Sequence, residues 1–135
     1  MGRSQNHLYH HRLAVRLLPQ DVRAVQLAKA AIAAGIETLL TEAGIAACEV
    51  DTLYIAGGFG SHLNIDSAVK IGLIPESLKD KVIVLGNAAL WGAASMLLDV
   101  TQQEKASAIV RASRHINLGG NSVFGDLFIE NMMFE

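Results

Sequence analysis

Between Pro19 and Ala43, the residues Val22, Val25, Lys29, Ile32, Ile36, Leu39, Leu40 and Ala43 recur at three- and four-residue intervals, which predicts one long helix with a continuous face. Pro19 suits the first helical position, because its missing N–H would have no partner there, and Gly44 is placed to end the helix. The pattern then changes. Residues 51–56 read as a buried strand running into the turn Gly57, Gly58, Phe59, Gly60, and residues 65–71 as a short helix. Gly72 and Pro75 break the chain before one helical turn through Leu78. The aliphatic run of residues 82–85 predicts a strand buried on both faces. Residues 87–98 are apolar around the whole circumference and predict an interior helix. Thr101, with Glu104 three residues on, predicts a capped helix to about Ala112. Residues 113–118 are expected to form an edge strand and residues 13–18 a short one, and Asn121 is expected to cap a last helix ending near Met133.

Alternation of helix and strand predicts an α/β layer structure with parallel pairing, as one domain over residues 13–135 behind a polar lead-in at residues 1–12. Two convincing strands make a sheet that looks incomplete for an independent domain, so the chain is expected to be part of something larger. Pairing of two copies, a homo-oligomer, is one arrangement that would hide the open sheet edge. Half of the 135 residues are hydrophobic and 18% are charged, which excludes disorder of the whole chain. The net charge of −2, with Lys and Arg scattered, gives no attraction for nucleic acid. Residues 82–85 and 88–98 are too short to cross a bilayer, so no membrane segment is expected. The lead-in lacks the apolar core of a signal peptide, and a cytoplasmic protein is expected. Its His7, His10 and His11 stand at metal-binding spacing, but a solvated terminal tail is the preferred reading. The single Cys48 holds neither a disulfide nor an iron–sulfur cluster, so any redox centre must sit on another polypeptide.

The segment from Leu53 to Ser61 carries the best candidate chemistry. A strand ending in paired glycines turns sharply and exposes main-chain N–H groups to a ligand, at the place where open α/β sheets bind them. The same glycines also suit a plain strand-to-helix turn. Their spacing matches neither the dinucleotide fingerprint nor the P-loop. His62 after the turn and His115 farther on read first as structural histidines, and Asp51 and Asp66 flank the turn without evident convergence. No catalytic residue and no metal set are assigned.

Five segments stand in one order: Gln20 to Arg23 leading into Gln26 to Ile32, Ala56 to Gly60, Ile71 to Pro75, Gly86 to Ala93, and Phe128 to Met132. In this order the chain closely resembles the C-terminal, actin-like domain of the reductive activators of corrinoid proteins. The resemblance implies a partial actin-like, ribonuclease H-like ATPase lobe with helices on a small, largely parallel sheet. It further implies that Gly57, Gly58, Phe59, Gly60 and Ser61 form the adenosine motif for ATP or ADP, with Gln26 and Lys29 of the long helix flanking the adenine. Lys29 has a second reading, in which its stem merely covers the helix face. Gly86 to Ala93 resembles a connecting motif whose small residues let helices of two lobes approach as a hinge, although packing within one domain would select the same residues. Trp91 fits core or interface filler. The implied partners are the remaining lobe, an iron–sulfur redox domain and a corrinoid protein. The two acidic phosphate motifs of the actin-like fold are missing from the chain, so weak nucleotide binding, magnesium only with the remaining lobe, and no hydrolysis alone are expected.

Overall fold

The computed structural model describes residues 18–134. The lead-in with its three histidines, and the strand expected at 13–18 except for its last residue, lie outside the described residues. Helix α1 is Pro19–Ala43, with Pro at its start. The Asp21 carboxylate accepts a hydrogen bond from the Leu18 amide at 2.9 Å, which supplies a partner to an N–H that precedes the helix. Gly44 ends the helix at φ 68, in the left-handed region where a Cβ would be strained.

The face that α1 buries is not the one its large aliphatic residues mark. Lys29, Ala30, Ala33, Ala34, Gly35 and Thr38 are buried, while Val22, Val25, Ile32 and Leu39 are exposed. Small side chains let helix α5, Ser122–Glu130, approach closely, and the α1–α5 pair is the main helix contact. Thr38 is tolerated there because its hydroxyl donates to the Ala34 carbonyl at 2.7 Å. By length and composition alone α1 could cross a membrane, a property the sequence reading passed over.

Strands β1, Leu53–Ala56, and β2, Val82–Gly86, form a two-stranded parallel sheet, with Leu53 opposite Val82 and a register shift after Ile55. Between them run helix α2, Ile65–Lys70, capped by the Asn64 side chain, and a 3-10 segment, Glu76–Lys81. The core gathers there. Ala68, Leu73, Ile74 and Leu78 are buried, with Ile36, Leu53, Ile55 and Val69 packed around them. The Lys81 ammonium ties this layer to the end of the first, donating to the Cys48 and Val50 carbonyls at 2.8 and 2.5 Å.

Helices α3, Ala88–Leu98, and α4, Thr101–Ala112, follow β2. Four expectations are corrected here. Strand β2 is not buried on both faces, since Ile83, Val84 and Leu85 are exposed. Helix α3 is not interior, with Trp91 71% and Leu98 88% exposed. The reason is shared, because a two-stranded sheet has no second layer to cover that side. Thr101 is the first helical residue rather than the cap. The Asp99 carboxylate accepts from the Thr101 hydroxyl and amide at 2.7 and 2.9 Å and from the Gln102 amide group at 2.8 Å. Those bonds, the Thr101 hydroxyl first, hold the Asp99 carboxyl below its ordinary range. The fourth correction is the edge strand at residues 113–118, which does not form. Arg114 instead reaches Glu42 at the end of α1, and a 3-10 turn, Leu118–Gly120, leads to the last helix.

Asn121 does cap α5, accepting from the Phe124 amide at 3.1 Å, and it also donates to Glu42 of α1 at 3.2 Å. Asn121→Ala removes both bonds. The expected loss is about 1 kcal/mol of unfolding free energy, measured as a lower urea midpoint at unchanged m-value. A midpoint within error of wild type would show that neither bond matters.

Candidate functional site

Strand β1 ends at Ala56, just before Gly57, and β2 at Gly86, side by side at the carboxyl edge of the sheet. The Gly57 amide donates to the Gly86 carbonyl at 2.7 Å, so the two chain reversals are locked to each other. Both glycines have positive φ, 96 and 66, which other residues adopt only under strain. The bend then folds back on itself. The Gly57 carbonyl accepts from the Ser61 amide and hydroxyl at 3.3 and 3.1 Å, and the His62 ring nitrogen Nδ1 lies 3.2 Å from the Gly58 carbonyl. Ser61 and His62 therefore brace the turn, which is the structural reading of His62.

The glycines of this bend do three different jobs. A Cβ on Gly60 would stand 2.3 Å from Cγ2 of Ile55, so Gly60 is there for close packing on β1. At Gly57 and Gly58 an added Cβ would meet nothing within 4 Å. At Gly57 the backbone dihedral requires glycine, whereas at Gly58 neither dihedral nor packing does. The outer face of the bend is thus bare main chain with open space above it, flanked by the exposed Phe59. Helix α3 begins beside it, its first turn capped by Asn87, which accepts from the Leu90 amide at 3.1 Å. With the Gly57 and Leu90 amides already engaged, the backbone donors left at this bend and helix N-terminus suit an oxygen-rich or anionic group.

The flanking residues proposed from the long helix can be placed by the surface they line. Lys29 is 3% exposed, with its Nζ 5.4 Å from the centroid of the Phe134 ring. It lines a groove of about 650 Å³ together with Glu37, Gly72, Glu76, Glu130 and Asn131, and no residue from 57 to 61 lines that groove. Gln26, half-buried one turn earlier, is not part of its lining either. The structure thus groups Gly57 to Ser61 with Gly86 and Asn87, and gives Lys29 to a second surface. Sequence reasoning missed that groove because Gly72 read only as a chain breaker. Its φ of 73 belongs to the end of α2, where the Leu73 amide donates to the Ala68 carbonyl at 2.9 Å, but its closeness to Lys29 comes from tertiary packing.

Other candidates resolve simply. Asp66 pairs with Lys79 at 2.8 Å on the surface, and the hydrogen bond, then the charge, of that lysine hold the Asp66 carboxyl below its ordinary range and push Lys79 up. Asp66 is therefore committed to a surface ion pair. His115 is exposed on the irregular segment before α5, and Trp91 stands out from α3. Among the described residues no three His, Cys, Asp or Glu side chains gather as a metal site.

A parallel strand pair whose carboxyl edge carries a glycine bend, layered with helices, is the arrangement in which open α/β folds place a ligand site. Comparison with known proteins makes this specific. Residues 3–135 match the family described as the C-terminal domain of RACo, the ASKHA domain, and the chain belongs to that family. It is 38% identical over 115 residues to the corrinoid activation enzyme RamQ of Eubacterium limosum, covering 85% of this chain and 19% of that protein. It is 23% identical over 117 residues to a reductase of Methanosarcina barkeri described as specific for a Co(II) methylated amine-specific corrinoid protein, covering 85% of this chain and 22% of that one. A solved reductive activator for a corrinoid, iron–sulfur protein superposes with a TM-score of 0.78 at 34% identity, covering 85% of this chain and 18% of that structure. The chain spans about a fifth of the length of the relatives it matches.

Proposed function

We propose that the chain is the adenosine-side half of an ATP-dependent reductive activator of corrinoid proteins, and that alone it neither hydrolyses ATP nor transfers electrons. The observation that carries this reading is the bare backbone at Gly57 and Gly58, open to solvent at the carboxyl edge of a parallel strand pair. Its geometry suits a ribose and phosphates, with the amides of the bend and the first turn of α3 as donors. Family membership and the names of the relatives support corrinoid activation as the process. Lys29 and Gln26 do not enter this version of the site. The nucleotide, with magnesium, supplies phosphoryl-transfer chemistry whose acidic groups belong to the remaining lobe.

A lobe that holds only the nucleoside side of a cleft lacks much of the binding free energy. Millimolar against micromolar affinity is a difference of about 4 kcal/mol. Titration calorimetry of the isolated chain with ATP is therefore expected to give millimolar affinity or none, and addition of the remaining lobe is expected to tighten it at least tenfold. Micromolar binding by the chain alone would refute the half-site reading. Absence of binding with the remaining lobe present would refute the nucleotide role and favour a second reading, a protein-interaction fragment. That second reading has an observation of its own, the exposed Leu90, Trp91, Leu97 and Leu98 of α3. In the first reading the same apolar face seats the remaining lobe, with Gly92 giving room for close approach because nothing lies within 4 Å of its Cβ position.

A further inference from the structure

We infer that the groove between α1, the end of α2 and the end of α5 binds a small zwitterion, its carboxylate on Lys29 and its ammonium toward the glutamates of the rim. The site is separate from the glycine bend and does not depend on the nucleotide reading. Its volume of about 650 Å³ is that of a small-molecule site.

Lys29 carries the argument. It is 3% exposed, yet among the described residues its ammonium has no carboxylate at ion-pair distance and no hydrogen-bond acceptor. The Phe134 ring covers one side of it, and Gly72 lies against another, where a Cβ would come within 3.1 Å of Nζ. Lys29 itself is one of the residues that line the groove. Three N–H donors with no protein acceptor among the described residues leave room for a ligand oxygen anion to accept from them.

The rest of the lining decides which anion. Glu37, Glu76 and Glu130 outnumber Lys29 and Lys70. Glu37 is already engaged by the Asn131 amide at 3.3 Å, while Glu76 and Glu130 are exposed and uncommitted among the described residues. Such a surround repels a phosphate or polyphosphate and attracts a cation beside the bound carboxylate. Val69, Ile74 and Met133 offer apolar contact to a short aliphatic stem between the two charges.

The test uses the full chain and four probes: 4-aminobutyrate, butyrate, butylamine and inorganic phosphate. Followed by calorimetry, 4-aminobutyrate is expected to bind at least tenfold more tightly than any of the other three. Lys29→Met, which keeps the side-chain volume, is expected to abolish saturable binding. Glu130→Gln, at an exposed position where folding is not at risk, is expected to weaken 4-aminobutyrate several-fold and leave butyrate unchanged. Butyrate or phosphate binding as tightly as 4-aminobutyrate would overturn the assignment, as would no saturable binding of 4-aminobutyrate to a chain whose melting is cooperative.

Discussion

Gly60→Ala is expected to lower the unfolding free energy by about 1–3 kcal/mol, the cost of forcing a methyl group into a filled site. The new Cβ would fall 2.3 Å from Cγ2 of Ile55, and within 3.7 Å of Cβ and the carbonyl carbon of the same residue. Ile55 is β-branched and sits in a strand, so its side chain has few rotamers with which to move aside. Urea unfolding should show the loss as a reduced midpoint. The diagnosis can be checked by a double-mutant cycle, since Ile55→Ala removes the obstructing methyl. In that background Gly60→Ala should cost much less than in wild type. Equal costs in the two backgrounds would mean that the bend does not depend on this contact.

Gly58→Val is expected to behave in the opposite way, with stability changed by no more than about 0.5 kcal/mol and nucleotide binding lost. The backbone at Gly58 is not in the positive-φ region, and an added Cβ meets no atom within 4 Å, so the fold has no reason to resist valine. A ligand lying against bare main chain does. With the remaining lobe supplied, ATP should weaken at least tenfold, and the protection from hydrogen exchange that ATP gives to residues 56–61 should disappear. Unaltered affinity in a folded Gly58→Val chain would remove the bend from the nucleotide site. The contrast between Gly58 and Gly60, two residues apart, separates binding from architecture within one motif.

Most elements were legible because local physics sets them. Pro19 and Gly44 bound α1 where proline and a left-handed glycine must. Asn121 starts α5, and the aliphatic run before Gly86 is a strand. The glycine bend was legible for the same reason, since two of its glycines answer to backbone dihedrals or close packing that no side chain allows. The errors arose where a partner in space decides. Residues 113–118 carry strand-like residues, but Arg114 and Asn121 fasten that stretch to Glu42 of α1 instead of to a sheet.

From its order of residues alone the chain determined an α/β lobe, the limits of α1, the two parallel strands and a glycine bend at a strand end, because each follows from main-chain dihedrals and nearest-neighbour periodicity. Only tertiary packing decided which face of α1 is buried, that Lys29 lines a groove with Gly72 and Glu130, and that β2 and α3 stand exposed. The physical reason is distance along the chain. Burial and electrostatic pairing are set by atoms dozens of residues away, and no local pattern encodes whether a layer exists to cover an apolar face.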